Sequence, residues 1–190
     1  MKERHWFLLA VVLLAVGAVE LYLWQGSQAV ESPPPTKVNP LDYAPRLQTN
    51  EIAPVFEADR MEGGRVRVEF PESGGKTFLF VLSLTCGTCQ KNLPYWSRLA
   101  RESGVKVRTF GLVVDKLEYQ KEQALLKEKA LDFPALRFTD KALMLSYKVT
   151  KVPHTILVGP GGRVEKTIVG ALTQEQFEDL LARARAGGPS

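Results

Sequence analysis

Apolar positions along this chain fall into three regimes. Trp6 to Trp24 is a nearly unbroken run, "WFLLAVVLLAVGAV" and then Glu20 and "LYLW". Its length is close to the ~20 residues a helix needs to cross a membrane's hydrocarbon layer. From Gln25 to about Asn50 bulky apolar residues are scarce, and "SPPPTKVNP" carries three consecutive prolines. Such a run favours polyproline II, a semi-rigid spacer. From Glu51 onward short apolar runs alternate with amphipathic stretches, the mark of a folded domain, here placed over 51–187.

Within that domain the periodicity predicts its elements. "EADRMEGGRVRVEF" reads as a hairpin turning at Gly63-Gly64, with Val66, Val68 and Phe70 alternating against Arg65, Arg67 and Glu69. "TFLFVLS", Thr77 to Ser83, is apolar without alternation, as a strand buried on both faces would be. Residues 87–102 carry Leu93, Trp96, Leu99 and Ala100 at helical spacing, with Gly104 as a stop and Pro94 expected to bend the helix. "VKVRTFGLVV" predicts a strand, "EYQKEQALLKEKA" a polar surface helix, "FPALRF" a short extended piece and "DKALMLSYK" a short helix. "HTILV", "GPGGR" and "VEKTIV" form a second hairpin. "TQEQFEDLLARARA" starts a last helix with Thr173 and Gln176 in capping-box spacing. This order of strands and helices predicts an α/β fold with a mixed central sheet flanked by helices.

Composition narrows the function. Hydrophobic residues are 45% and charged residues 24% of the chain, a globular balance, and the net charge is only +4. No basic stretch interleaved with aromatics occurs, so nucleic acid is not an expected partner. No internal repeat and no Walker or Rossmann glycine loop is present, and nothing calls for a cofactor or a resident metal. Lys2 and Arg4 precede the apolar segment, and no Lys or Arg follows until Lys37. The positive-inside rule then predicts residues 1–24 as a single-pass signal-anchor, its N-terminus cytoplasmic and the C-terminal domain periplasmic or extracellular. The competing expectation is a signal peptide cleaved near Ala15-Val16-Gly17. Either way the domain meets an oxidising compartment.

The chain has two cysteines, both in "SLTCGTCQ". As a structural staple Cys86–Cys89 would close a very short loop, worth about 2 kcal/mol in the chain-entropy model against about 4.7 for a hundred-residue loop. The place suits chemistry better. The pair opens a helix after a buried strand, where unpaired backbone N–H groups and the positive end of the helix dipole favour a thiolate. Cys86 is the expected nucleophile and Cys89 the expected resolving thiol. Metal ligation and an inert disulfide stay open as alternatives. Downstream, Val152-Pro153 stands just before a strand. An X–Pro bond there can be cis, which would expose the backbone N–H and C=O of Val152 to an extended peptide.

Together, "CGTCQKNLP", "KVPHTILVGPGGRVEKTIVG" and the N-terminal segment resemble the thioredoxin superfamily, in particular its TlpA/ResA-like membrane-anchored thiol-disulfide oxidoreductases, over roughly residues 53–186. The resemblance implies a thioredoxin-like fold, Cys86 and Cys89 as the redox pair, and Pro153 as a cis proline beside them. Val152 and Thr85 become the candidate substrate contacts. It also implies exported disulfide proteins as substrates, a DsbD- or CcdA-like transmembrane thiol carrier as electron donor, and cytochrome c maturation or one dedicated client enzyme as the setting. The chain departs from the pattern at four places. Thr85 stands where the family usually has Trp, and Thr88 where many members have Pro. Phe80 occupies the position of the buried Asp of thioredoxins, and Asn92 that of the Glu common in ResA-like proteins. His154, next to Pro153, is a candidate modulator of the Cys86 thiolate through its imidazolium.

Two other functions use the same residues. A peroxiredoxin-like peroxidase would use Cys86 with Ser83 three residues before it, but Leu79 stands where that family has proline. A copper or other metal chaperone would use Cys86, Cys89 and His154, although the Sco-type chaperones resemble C-x-x-x-C-P, with one more residue in the spacing. Glu118 and Glu122 are expected to form a solvated face with Lys121.

Overall fold

Thr77–Leu82 forms the middle strand of a five-stranded sheet, and all six of its residues are buried. The computed structural model describes residues 45–73 and 75–186; the apolar segment 1–24 and the proline-rich stretch up to residue 44 lie outside the described residues. Among the described residues no helix is long and apolar enough to cross a membrane.

The elements follow in the order β1 (Phe56–Asp59), β2 (Arg65–Val68), β3 (Thr77–Leu82), α1 (Gly87–Glu102), β4 (Arg108–Val113), α2 (Tyr119–Lys129), β5 (Ala135–Arg137), α3 (Lys141–Ser146), β6 (His154–Val158), a short 3-10 turn at Pro160–Gly162, β7 (Val164–Val169) and α4 (Gln174–Arg185). β1 and β2 pair as an antiparallel hairpin. Gly63 and Gly64 make its turn at φ 105° and 81°, a region open mainly to glycine. The main sheet runs β5-β4-β3-β6-β7. β3, β4 and β5 are parallel, β6 runs antiparallel to β3, and β7 runs antiparallel to β6 and so in the same direction as β3. The mixed sheet expected from the sequence is therefore present.

Side-chain alternation along β3 splits the core into two layers. Phe78, Phe80 and Leu82 face α1 and α4, packing with Trp96, Leu99, Phe177 and Leu180. Leu79 and Val81 face the other way, onto Phe56 and Val68 of the hairpin and onto Phe138 and Tyr147. α1 buries Cys89, Asn92, Trp96 and Leu99 as one stripe at helical spacing and runs through Pro94 without interruption. α4 starts with the expected capping box between Thr173 and Gln176, a device worth about 1 kcal/mol. Gly111 in β4 is there for space: a Cβ would come within 2.7 Å of the Phe133 ring.

One detail adds to the sequence expectation and one differs from it. The last residues of the spacer lie against the domain: Leu47 is buried, and Asn50 N–H donates to the Val164 carbonyl at 2.8 Å. Glu122 is not on a solvated face. Its carboxylate is buried and pairs with both terminal nitrogens of Arg137 at 2.9 and 2.6 Å. A carboxylate can be buried in this way because the guanidinium fork satisfies both oxygens.

Candidate active site

Between the end of β3 and the start of α1 the chain makes one tight turn, Ser83-Leu84-Thr85-Cys86. Cys86 N–H donates to the Ser83 carbonyl at 3.2 Å, and Cys86 caps α1 in an extended conformation. Its Sγ accepts the Cys89 N–H at 3.2 Å, so the sulfur occupies the place a capping oxygen would take, at the positive end of the helix. The two sulfurs are free thiols in unequal settings. Cys86 is half-buried and open to solvent; Cys89 is only 1% exposed. Burial pushes the Cys89 thiol up to about 12, the neighbouring Cys86 sulfur adds to the effect, and the charge of Asp115 contributes in the same direction. The pair thus presents one sulfur able to meet a large reactant and a second, held protonated, behind it.

The turn is braced from below by Asp115, just past the end of β4. Its carboxylate accepts the Leu84 N–H at 2.6 Å and the Ser83 hydroxyl at 2.8 Å. The Ser83 hydroxyl also receives the Thr85 N–H at 3.2 Å and lies 3.1 Å from the Thr85 hydroxyl. Thr85 itself is exposed beside Cys86. Asp115 leaves no local trace in the sequence, because what brings it to the turn is the sheet register that pairs Leu82 with Val113.

The Val152–Pro153 peptide is cis, and Pro153 is buried at the entrance to β6. Val152 and Cys86 are both half-buried and pack against the same apolar layer. The Pro153 carbonyl accepts the Gly170 N–H at 2.8 Å. Asn92, in the position where the resemblance leads one to look for a carboxylate, donates to the Gly170 carbonyl and accepts from Leu172 N–H. At the other such position Phe80 stacks on Trp96, centroids 5.1 Å apart. Trp96 Nε1 donates to the Thr155 hydroxyl at 2.8 Å.

His154 is not brought to the cysteines. Thr155 points to the α1 side, where it meets Trp96, so its neighbour on the strand faces the opposite layer. His154 pairs in register with Val81, has no exposed surface, and neither ring nitrogen has a hydrogen-bond partner among the described residues. Burial, with the charge of Arg46 adding, holds its imidazole down to about 4. At neutral pH the ring is uncharged and supplies no positive charge to Cys86. Among the described residues no three of His, Cys, Asp and Glu come together as a metal ion would require, so Cys86, Cys89 and His154 do not form a cage.

A mixed sheet with helices on its faces, and a C-x-x-C pair where the middle strand passes into a helix, defines a class of protein: an enzyme of the thiol-disulfide oxidoreductase type on a thioredoxin-like fold. Sequence relatives agree. The chain is 30% identical over 131 residues to sporulation thiol-disulfide oxidoreductase A of Bacillus subtilis (strain 168), covering 67% of this chain and 78% of that protein. It is 25% identical over 141 residues to thiol-disulfide oxidoreductase ResA of the same organism, covering 73% and 76%. Among solved structures, StoA from Bacillus subtilis matches with a TM-score of 0.58 at 24% identity, over 68% of this chain and 97% of that one. A putative thiol:disulfide interchange protein DsbE from Chlorobium tepidum matches with a TM-score of 0.62 at 17% identity, over 74% and 99%. The chain belongs to the redoxin family, whose model matches residues 48–182.

Proposed function

We propose that this protein is a membrane-anchored, extracytoplasmic reductant of disulfides in exported proteins. The observation that carries the reading is the inequality of the two sulfurs: Cys86 open at the helix N-terminus and Cys89 buried, neutral and one helical turn away. The Cys86 thiolate attacks one sulfur of a substrate disulfide, forming a mixed disulfide and releasing the other substrate sulfur as a thiolate, which takes up a proton. Cys89 then loses its proton and attacks Cys86 Sγ, expelling the second substrate thiolate. The substrate gains two electrons and the protein is left with a Cys86–Cys89 disulfide. A dithiol donor, by analogy a transmembrane thiol carrier, returns it to the reduced form.

Thr85 and the Val152-Pro153 segment are the proposed substrate contacts, supported by the exposure of Thr85 next to Cys86 in the chain and by the link from α1 through Asn92 and Gly170 to the Pro153 carbonyl. The anchor rests on the apolar run of residues 1–24 and on Lys2 and Arg4 ahead of it. Apocytochrome c or one dedicated enzyme would be the natural client. A Cys89→Ser variant tests the reading, because it stops the second step and holds the client on Cys86, where mass spectrometry identifies it. Absence of any trapped polypeptide would refute the reading. Equilibration with glutathione buffers fixes the direction: a potential near approximately −270 mV supports a reductant, and one near −120 mV an oxidant.

A further inference from the structure

Asn92 sits on α1 three residues after Cys89, with no exposed surface. Both ends of its amide are used: Nδ2 donates to the Gly170 carbonyl at 3.0 Å, and Oδ1 accepts the Leu172 N–H at 2.9 Å. The same Gly170 donates its own N–H to the Pro153 carbonyl at 2.8 Å. The cysteine helix is thereby tied, through the segment after β7, to the turn that carries Val152 and Pro153. Gly170 is held at φ 101°, a conformation that a side chain would strain.

The chemistry of the clamp demands an amide. It needs one donor and one acceptor on a short, planar group. A carboxylate has no donor and would set a second oxygen against the Gly170 carbonyl. Farther along α1 the helix is fastened separately, by Trp96 to Thr155. Asn92 is thus the polar fastening of the part of the helix nearest the cysteines.

We propose that Asn92 is the positioning residue that sets Cys86 against the Val152-Pro153 segment, so that it governs reaction with extended polypeptide disulfides and leaves reaction with small reagents alone. The proposal rests on the reading that Cys86 and Cys89 exchange disulfides with polypeptides bound along that segment. A small alkylating agent needs only the sulfur. A polypeptide must lie on the segment and present its disulfide to Cys86 at once, and a displacement of about 1 Å can cost about 100-fold.

The test uses the full chain and an Asn92→Asp variant, with two rates for each: alkylation of Cys86 by iodoacetamide, and reduction of a disulfide-bonded peptide. At pH 8 the variant's alkylation is expected within about twofold of wild type and its peptide reduction down about tenfold or more. At pH 5, as the new carboxyl group regains an O–H donor, the peptide rate relative to wild type should rise. Equal loss in both rates, or in neither, overturns the proposal. A wild-type protein that is alkylated but leaves every peptide disulfide intact sinks the exchange reading instead. Amide hydrogen exchange on wild type then decides the clamp by itself, as it does if the variant fails to fold: slow exchange at Gly170 and Leu172 supports it, and fast exchange at both overturns it.

Discussion

Asp115 holds the Leu84 backbone N–H at 2.6 Å from across the sheet, and so fixes the turn on which the reactive sulfur sits. The same carboxylate takes the Ser83 hydroxyl. Asp115→Ala would leave a buried N–H and a hydroxyl without their acceptor. Hydrogen bonds to a charged group are worth about 1.5–3 kcal/mol, so urea unfolding should show a loss of about 2 kcal/mol, and Asp115→Asn should recover part of it. A variant within about 0.5 kcal/mol of wild type, the usual range for an uninvolved surface position, would show that the brace carries no weight.

The two thiols should separate cleanly in a labelling experiment. Iodoacetamide at pH 8 is expected to add one group per native chain, at Cys86. Cys89, 1% exposed and pushed up to about 12, should react only after denaturation. Peptide mapping checks this, and substantial label on Cys89 in the native protein would contradict the described inequality.

His154 predicts a loss of stability in acid. An unfolded histidine titrates near 6.5, and the folded one is held down to about 4. Between those values the unfolded chain takes a proton that the folded chain refuses. The contribution is therefore complete above about pH 6.5 and disappears as the pH falls towards 4, by at most about 3 kcal/mol. His154→Leu should flatten the pH dependence of the urea midpoint over that range. Parallel curves for the two proteins would rule the histidine out as the cause.

Restoring a thioredoxin-like carboxylate at position 80 should fail. Phe80 lies parallel to Trp96 at 5.1 Å and edge-on to Phe133 at 5.1 Å. Phe80→Asp removes both contacts and buries a carboxyl among aromatic rings, at a cost of about 4 kcal/mol or more. Thermal melts test this. A variant as stable as wild type would mean that the layer accommodates charge, and the aromatic filling would then need another explanation.

What could be seen in the sequence was local. "TFLFVL" announces a strand buried on both faces because no residue in it is polar enough for a wet face. Thr173 and Gln176 announce a helix start because the cap closes within three residues. C-x-x-C and Val152-Pro153 could be picked out because each is contiguous, and the resemblance then set them side by side. The support of the site was hidden for the opposite reason. Asp115 serves residues about thirty positions earlier, and Asn92 serves residues about eighty positions later. Neither pairing leaves a periodic trace. Arg137 hid the role of Glu122 in the same manner, since the pattern of a polar helix does not reveal which carboxylate has a partner on a neighbouring strand. The side on which His154 falls could not be read in the same way, because adjacency to Pro153 in the chain says nothing about which face of the sheet a side chain takes.

The strand order gives the site a timetable. β6, which begins at His154, lies against β3 in the middle of the sheet and is among the last strands to be made. A chain made from its N-terminus would have its Cys86–Cys89 helix in hand before β6 exists to pair with β3. Until residues beyond 150 arrive, one whole edge of β3 is unpaired and the cis-proline turn is not yet in place. The pairing of the cysteine helix with the cis-proline turn is therefore completed only when the C-terminal strands are made.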